Sequence, residues 1–365
     1  MIKAYLLSGT RLRIRGENDQ AFKDLLKIWT DKGGDVALGP AGAIDLLGDI
    51  PSFWSLADKI SADSRLFPLS EMIISRLENV EIKNWEIPMP RADTLLVSDR
   101  PLVMGIINVT PDSFSDGGKN FDRDKAVESA FRLVDEGADI LDIGGESTRP
   151  GAQEVPVDEE IRRTVPVVEK LAGKVSVPIS IDTRKSAVAE AALKVGASIV
   201  NDVSMLGHDP YLADICARYG APLVISHIQG TPATMQNNPH YNDLLPEIID
   251  ALEQAIETAE ERGVSSKSII LDPGIGFGKK LEHNLAILNG LYALTGLGKP
   301  IMIGPSRKRF IGDILKVSTD QRLEGTISTC VLALLRGAKI FRVHDVKENR
   351  RALDVAHAII TQKPF

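Results

Sequence analysis

The chain has 365 residues, of which 43% are hydrophobic and 25% are charged. A chain of this length and composition can bury a sizeable core, so disorder, collagen-like repeats and a small disulfide scaffold are excluded. The formal net charge of −7 argues against nucleic acid or an anionic membrane as the main partner. It does not exclude a small anionic substrate in a locally basic pocket.

The cysteines and the amino terminus indicate the class of protein further. Cys216 and Cys330 lie far apart with no CxxC spacing, so neither a metal cluster nor a disulfide framework is predicted. The opening residues contain too short an apolar run for a signal peptide, and no stretch approaches the roughly 18 apolar residues of a membrane span. We therefore expect a cytoplasmic enzyme that does not contact a membrane.

Residues 1–93 show mixed elements and no polar array that resembles a site. We predict a short strand at residues 4–7 and helices at 19–32 and 70–77. A Gly-rich stretch at residues 33–49 follows the first helix. The motif IPMPRAD ends this region, because Pro88 and Pro90 break the periodicity and favour extended backbone. We predict an accessory domain of unknown role over residues 1–93, with a function in assembly or stability, and a catalytic domain over 94–365.

From Thr94 onward, the predicted strands and helices follow a regular pattern. The first segment is typical of a hairpin that turns at Asp99-Arg100 and leads into a strand. Short apolar runs then alternate with longer segments of helical spacing. The apolar runs are LVMGIINV (102–109), DILDIG (139–144), VPISID (177–182), SIVNDV (198–203), PLVISH (222–227), SIILDP (268–273), PIMIG (300–304) and AKIFRV (338–343).

These eight strand–helix units predict an α/β fold. Their length matches the roughly 250 residues of a (β/α)8 TIM barrel, and continuous apolar runs suit parallel strands that are buried on both faces. A doubly wound open sheet is the alternative, since alternation alone does not show closure. The count of eight favours the barrel, preceded by a small N-terminal α/β region.

Polar side chains lie at the end of every predicted strand. They are Asn108, the motif GGESTRPG, Asp182-Thr183-Arg184, Asn201-Asp202, Ser226-His227, Asp272, Ser306-Arg307-Lys308 and Arg342 to Asp345. In a (β/α)8 barrel the active site lies at the carboxyl ends of the strands. The eight polar ends therefore predict one polar mouth.

Each of these features also has a structural interpretation. Asp182 and Asp272 can cap the helices that follow them, whereas together with Asn201 they can accept the N–H groups of a nitrogen heterocycle. The motif Ser306-Arg307-Lys308 can be the first turn of a helix, and by itself it is a weak signal.

The cationic residues leave similar alternatives open. Arg342 and His344 lie on the same face of a strand and, with Arg149, can bind a polyphosphate; a surface salt-bridge set is the alternative. A single His at a strand end, such as His227, is more often structural than catalytic. The segment GIGFGKK has neither the Walker spacing nor GxGxxG, so an ATPase or a dinucleotide site is not predicted.

Seven motifs occur in a fixed order over residues 94–365. They are GIINVTPDSFSDGG (105–118), DIGGESTRPGA (142–152), SIDTRK (180–185), NDVS (201–204), DPGIGFGK (272–279), PSRKRFIG (305–312) and RVHDV (342–346). Together they resemble the dihydropteroate synthases of folate biosynthesis. The resemblance implies a pterin-binding barrel that condenses 6-hydroxymethyl-7,8-dihydropterin diphosphate with 4-aminobenzoate, giving 7,8-dihydropteroate and diphosphate. It also implies a homodimer.

The resemblance further implies roles for individual residues. The pterin ring would be bound by Asp182, Asn201, Asp272 and Lys308. The diphosphate would be surrounded by Asn108, Thr148, Arg149, Arg342 and His344, with Asn108 touching a Mg²⁺ that bridges the phosphate oxygens. The 4-aminobenzoate site would be formed by Ser306, Thr148, Arg149 and Pro150 and lined by Phe277 and Phe114.

The expected mechanism is a dissociative displacement. Mg²⁺ and the Arg/His cluster would neutralise the leaving diphosphate, the exocyclic carbon would bear positive charge, and the amine would attack it directly. Closure of the loops after the first two strands would exclude water. Asp116 is implied to lie near the reacting carbon, and we expect Asp116, Lys308 and Asp182 to act in catalysis.

The chain departs from the family at two places, and two alternative functions remain open. Ser226 stands where the family usually has Met, and the common minimal enzyme lacks residues 1–93. Methyltetrahydrofolate–corrinoid methyltransferases share the strand-end Asp and Asn residues but not the TPDSFSDGG and ESTRPG loops, SRK and RVHDV. A non-catalytic pterin-binding paralogue would be favoured by lost motif residues, and only Ser226 is unusual here.

Overall fold

The structure is a computed structural model that describes residues 2–16, 20–91, 93–98, 100–109, 119–148 and 152–363. The chain divides into two compact units. The N-terminal unit comprises residues 1–83, 241–250 and 289–298, and the barrel unit comprises the remainder. The predicted domain division after residue 93 stays a prediction; the compact units add two segments from beyond it to the N-terminal region.

The N-terminal unit is built on an antiparallel sheet with strand order β1-β2-β4-β3. Its strands are β1 (Lys3–Ser8), β2 (Arg11–Arg15), β3 (Asp35–Leu38) and β4 (Ile44–Leu47), and its helices are α1 (Gln20–Thr30), α2 (Ile50–Ile60) and α3 (Phe67–Asn79). The sequence did not predict β3, β4 or α2. Both strands have only four residues and lie in the Gly-rich stretch, so their apolar runs are too short to show a period of two.

Two kinds of contact hold the N-terminal unit together. Its buried apolar core includes a stacked pair, Trp29 and Phe53, with ring centroids 5.6 Å apart. The Arg13 side chain donates to Asp45 at 2.6 Å and to Asp243 at 2.7 Å. The Tyr5 hydroxyl donates to the Asp250 carboxylate at 2.9 Å. Segment 241–250 is therefore tied to the N-terminal sheet by buried and half-buried polar groups.

The barrel unit contains a closed barrel of eight strands, joined in the order β10-β11-β12-β13-β14-β7-β8-β9. The strands are β7 (Leu102–Asn108), β8 (Ile140–Gly144), β9 (Ile179–Asp182), β10 (Ile199–Asp202), β11 (Leu223–Ser226), β12 (Ile269–Asp272), β13 (Ile301–Ile303) and β14 (Ala338–Val343). All neighbours pair in parallel. The predicted (β/α)8 barrel is confirmed, and the open sheet is excluded because β14 pairs with β7.

Helices follow the strands of the barrel. They are α4 (Lys119–Asp135), α5 (Val157–Leu171), α6 (Ser186–Val195), α7 (Leu212–Tyr219), α8 (Leu244–Glu261), α9 (Leu281–Asn289), α10 (Arg309–Leu315), α11 (Leu323–Leu335) and α12 (Val346–Thr361). A 3-10 helix covers Leu291–Leu297. The longest of these helices, α8, begins in the N-terminal unit and continues in the barrel unit.

The hairpin predicted around Asp99-Arg100 is wrong in its pairing. Strand β6 (Leu95–Val97) pairs antiparallel with β5 (Trp85–Ile87), while β7 pairs in parallel with β8 and β14; Asp99 itself lies outside the described residues. The prolines of IPMPRAD thus lie in the connection between β5 and β6. Ile87 and Val97 join the buried cluster of Leu102 and the other inward-facing residues, so this hairpin covers the amino-terminal end of the barrel.

Candidate active site

Strand alternation directs a set of polar side chains into the carboxyl-terminal end of the barrel. Val224 and Ile270 belong to the apolar cluster inside the barrel, so Ser226 and Asp272, two residues further along the same strands, face the same interior. Asn201 is in register with Asp182 on the neighbouring strand. The apolar layer thus ends in a polar one at the carboxyl ends of the strands.

Arg342 lies at the centre of this polar layer. Its Nε donates to Asp142 and its Nη2 to Asp182, each at 2.6 Å, and Asn201 Nδ2 donates to Asp142 at 3.1 Å. Burial raises the pKa of the Asp182 carboxyl, although the charge of Arg342 opposes this. Burial acts to lower the pKa of the guanidinium, but the two carboxylates outweigh it and raise that pKa. The cationic clamp predicted from Arg342 is thus bound to carboxylates of the site.

A second charged pair lies at the ends of β12 and β13. Asp272 Oδ1 accepts a hydrogen bond from the Gly274 amide at 2.7 Å, and burial raises the pKa of this carboxyl against the opposing charge of Lys308. Lys308 Nζ donates to the Ile275 carbonyl and lies 4.4 Å from the centroid of the Phe277 ring. Loss of solvent lowers the pKa of this ammonium to about 8, although Asp272 opposes the shift.

The ends of β13 and β14 are connected through Ser306 and His344. The Ser306 Oγ lies 3.0 Å from His344 Nδ1 and accepts from the His344 amide at 3.2 Å. The next residue, Arg307, adopts a positive φ of 55° and pairs with Asp345. This geometry turns the chain between β13 and α10 and places Ser306 beside His344, as predicted for neighbouring parts of one site.

The structure therefore brings together most of the predicted site residues that it describes. Asp182, Asn201, Asp272, Arg342 and Lys308 are linked through hydrogen bonds and charge interactions. Asn108 ends β7 in register with Gly144, which is itself in register with Asp182. Thr148 is half-buried in the segment after β8. Asp116, Arg149, Pro150 and Phe114 lie outside the described residues.

The sequence did not predict two acidic residues of the site, Asp142 and Glu146. Asp142 is completely buried and accepts from Arg342 and Asn201. The signal for it was a carboxylate inside an apolar run, DILDIG, of a strand that is buried on both faces. Glu146 binds Arg184 and Lys185, a pairing that spacing does not reveal because the partners lie on different strand ends.

His227 has the structural environment that its lone position suggested. It is buried, and its Nδ1 lies 2.8 Å from the Nζ of buried Lys279, which also donates to the Phe277 carbonyl at 2.9 Å. Burial and the Lys279 charge lower the pKa of His227 well below its usual value, and burial lowers that of Lys279. The pair fixes the turn after β12 onto the end of β11.

An eight-stranded barrel with carboxylates, an amide and two cations at one end defines the class of pterin-binding barrel enzymes. Consistent with this, residues 104–344 match the family model described as pterin binding enzyme. None of the described helices has the length and apolar character needed to span a bilayer.

Similarity to known proteins identifies the family within this class. The dihydropteroate synthase of Bacillus subtilis is 46% identical over 77% of this chain and 96% of its own length. A structure of the Xanthomonas albilineans dihydropteroate synthase with 4-aminobenzoic acid is 44% identical, has a TM-score of 0.69, and is matched over 73% of this chain and 95% of its own. Another, in complex with 7,8-dihydropteroate, is 41% identical with a TM-score of 0.66, over 73% and 96%. The chain belongs to the dihydropteroate synthases, which are transferases of folate biosynthesis, as the seven motifs predicted.

Proposed function

We propose that the polar end of the barrel binds 6-hydroxymethyl-7,8-dihydropterin diphosphate and 4-aminobenzoate and joins them with release of diphosphate. The observation that carries the assignment of residues is the buried set of acceptors formed by Asp142, Asp182, Asn201 and Asp272. Asp142 Oδ1 and Asn201 Oδ1 are buried and have no hydrogen-bond partner among the described residues. Buried acceptors of this kind are satisfied by a ligand with several N–H groups, and the edge of a pterin provides them.

Lys308 complements these acceptors in the proposed complex. Its ammonium donates, whereas carboxylate oxygens accept, so the pair Lys308 and Asp272 can bind a carbonyl or ring nitrogen and an N–H group on the same heterocycle. Arg342 would remain paired with Asp182 or turn one face of its guanidinium to the ring. The carboxylates and the cations thus orient the pterin so that its exocyclic carbon faces the barrel mouth.

The diphosphate and its metal ion would lie nearer the mouth. The proposed contacts are Asn108, Thr148, Arg149, Arg342 and His344. Among the described residues no group of three His, Cys, Asp or Glu side chains can hold a metal. The amide oxygen of Asn108 nevertheless fits Mg²⁺, which binds few protein oxygens and takes its remaining ligands from phosphates and water. When bound, Mg²⁺ would neutralise charge that develops on the leaving diphosphate.

The reaction then needs no protein nucleophile. The bond between the exocyclic carbon and the diphosphate oxygen breaks with its electron pair on the oxygen, the aminobenzoate nitrogen forms the new bond to carbon, and the amine passes one proton to solvent. Asp182 and Lys308 hold the ring in place during this step, and Asp116 would stabilise positive charge on the carbon. Ser306, Thr148, Arg149, Pro150 and Phe277 would bind the aminobenzoate.

We also propose that the active form is a homodimer in the cytoplasm. Helices α10, α11 and α12 expose large apolar side chains: Ile314, Leu315, Leu332, Leu335, Val355, Ile359 and Ile360. Apolar groups gathered on one side of a monomer are typical of an interface between subunits. Sedimentation should give twice the monomer mass, and a monomer at micromolar concentration would contradict the dimer. Two buried free cysteines agree with a reducing compartment.

The decisive experiment measures diphosphate release by the purified chain with the pterin diphosphate and Mg²⁺, with and without 4-aminobenzoate. Release that depends on 4-aminobenzoate, with dihydropteroate as the product, is the expected result. Pterin binding without turnover would instead favour a non-catalytic paralogue. Omission of Mg²⁺ tests the metal separately, since it should reduce turnover while leaving binding of the unphosphorylated pterin unchanged.

A further inference from the structure

A buried ionic network outside the pterin pocket joins both ends of the segment that carries Thr148. Glu146 starts this segment, two residues after β8. Its Oε1 accepts from Arg184 Nε at 3.1 Å and from Arg184 Nη2 at 2.7 Å. Its Oε2 accepts from Lys185 Nζ and from the Val155 amide, the latter at 3.3 Å. One carboxylate therefore contacts the two residues that precede α6 and the end of the segment.

Lys185 completes the same network. Its Nζ also donates to the Val155 carbonyl at 2.7 Å and to Glu160 Oε2 at 2.6 Å. The side chains of Glu146, Lys185 and Glu160 are only 8%, 4% and 1% exposed. The two ends of segment 146–155 are thus held by the same ammonium and the same carboxylate. We call Glu146, Glu160, Arg184 and Lys185 the loop clasp.

The charges of the loop clasp balance. Two carboxylates face two cations, and although burial acts to raise the pKa of Glu146, Lys185 and Arg184 outweigh it and lower that pKa. Removing one charge from a buried network leaves its partners uncompensated, so the network has one strongly preferred arrangement. Thr148 lies two residues from Glu146 and therefore takes its position from this arrangement.

The loop clasp also connects two strand ends of the site. Arg184 and Lys185 follow Asp182, which ends β9, while Glu146 follows β8, whose Asp142 contacts Arg342. The pterin acceptors lie on the strands themselves, and their hydrogen bonds to Arg342, Asn201 and Gly274 involve no residue of the loop clasp. The charge of Glu160 does act on Asp182, so a test that alters Glu146 and keeps Glu160 leaves the hydrogen bonds of the heterocycle pocket in place.

We propose that Glu146 is a positioning residue that, through Arg184 and Lys185, fixes residues 146–148 and 152–155 for binding of 4-aminobenzoate, without touching either substrate. This proposal rests on the proposed function, because that function assigns Thr148 and its neighbours to the aminobenzoate site. Loss of the clasp weakens binding of the second substrate and leaves binding of the pterin ring unaffected.

The test compares Glu146→Gln in the full chain with Glu190→Gln as a matched control. Glu190 also faces two cations, Lys194 and Arg218, but it lies on α6 and does not contact the segment. For Glu146→Gln we expect KM for 4-aminobenzoate to rise about tenfold, within the roughly 100-fold loss that a 1 Å misplacement can cause. The Kd of unphosphorylated 6-hydroxymethyl-7,8-dihydropterin should stay within about twofold of the wild-type value, and the control should match wild type in both.

A milder variant guards against misfolding. Arg184→Lys keeps the positive charge but loses the paired donors, so its KM for 4-aminobenzoate should lie between those of wild type and Glu146→Gln. Amide exchange of residues 152–155 should accelerate in both variants. An unchanged KM in either folded variant overturns the positioning role, and so does an equal loss of pterin affinity. An inactive wild-type chain would instead refute the proposed function.

Discussion

Lys308 is a site residue whose protonation changes within the accessible pH range. Its pKa is lowered to about 8 by loss of solvent, and its ammonium is the donor in the proposed pterin contact. The charged form dominates below that pH and the neutral form above it. We therefore expect kcat/KM for the pterin diphosphate to fall about tenfold per pH unit above pH 8, since this parameter reports ionisation of the free enzyme.

Lys308→Arg separates the charge of this residue from other ionisations. Arginine stays protonated throughout the accessible range, so the variant should be less active at neutral pH but should lack the alkaline limb. The measurement is the pH dependence of kcat/KM for both proteins. An identical alkaline limb in Lys308→Arg would assign it to another group.

Ser226 offers a second prediction at this scale. Its hydroxyl is completely buried, faces the barrel interior beside Asp272, and has no partner among the described residues. Without ligand, Ser226→Ala should be as stable as the wild-type protein or more stable, because the substitution removes an unpaired buried hydroxyl. It should weaken pterin binding about fivefold, since one neutral hydrogen bond contributes about 1 kcal/mol.

The control for Ser226→Ala is Ser198→Ala, another buried serine that lies just before β10, at the opposite end of the barrel. Melting temperature and pterin Kd are measured for both variants. A pterin Kd in Ser226→Ala equal to that in Ser198→Ala would show that the hydroxyl does not contact the ligand.

The sequence predicted the location of single polar residues where a strand end identifies it. Asp182, Asn201 and Asp272 each follow an apolar run, so their position at the mouth follows from barrel topology. The partners of Arg342 could not be predicted in the same way, because Asp142 is 200 positions away in the chain. Such a contact depends on how the barrel closes, which the local pattern does not contain.

Among the elements, the turn between β12 and α9 depends on glycine for two different reasons. Gly274, Gly276 and Gly278 all have φ between 65° and 85°. At Gly274 a Cβ would also lie 1.8 Å from the His227 carbonyl oxygen. The glycines of GIGFGKK thus allow a left-handed backbone and a close approach to the end of β11. These structural roles account for the glycines without a phosphate-binding motif, whose spacing the segment lacks.

Gly274→Ala should therefore destabilise the fold beyond the cost of the backbone angle. We expect at least about 3 kcal/mol from the overlap and the strained φ together. Gly220→Ala is the matched control, with a φ of 65° and no atom within 4 Å of the added Cβ; it should cost about 1 kcal/mol. Urea unfolding gives both values, and equal losses would show that the close approach relaxes freely.

Strand pairing was the least predictable property of the elements. The existence of β5, β6 and β7 depends on short apolar segments, but their partners depend on the whole barrel. Strands β8 and β14 pair with the two edges of β7, so β6 pairs with β5 instead. A hairpin between neighbouring segments is the local default, and closure of the barrel overrides it.

In the whole molecule, the N-terminal unit includes segments that the sequence assigned to the catalytic domain. Segment 241–250 begins α8, and its Asp243 and Asp250 bind Arg13 and Tyr5. The carbonyl of Gly296 accepts from Asn79 at 2.9 Å. Such long-range contacts cannot be predicted from composition. They predict that the N-terminal region contributes to the stability of the chain.

Arg13 is the sharpest test of that contribution. Its guanidinium donates twice to Asp45, at 2.6 and 2.8 Å, and once to Asp243, and the three side chains are 9%, 5% and 3% exposed. Arg13→Met keeps the apolar stem but removes the cation that binds both buried carboxylates, while the exposed Arg11 lies 3.8 Å from Asp45. Breaking a buried pair in this way costs about 3–5 kcal/mol.

The control is Arg65→Met, which also removes an arginine that binds two aspartates, Asp24 and Asp63, but with a side chain that is 52% exposed. Exposed pairs contribute little, so its free energy of unfolding should hardly change. Calorimetry measures the stability of both variants. Their 4-aminobenzoate-dependent turnover is measured at low temperature. For Arg13→Met we expect a large loss of stability with turnover retained while the chain is folded, because Arg13 lies outside the proposed site. Equal stability of the two variants would show that the buried contacts of Arg13 with Asp45 and Asp243 contribute no more to stability than exposed ion pairs do.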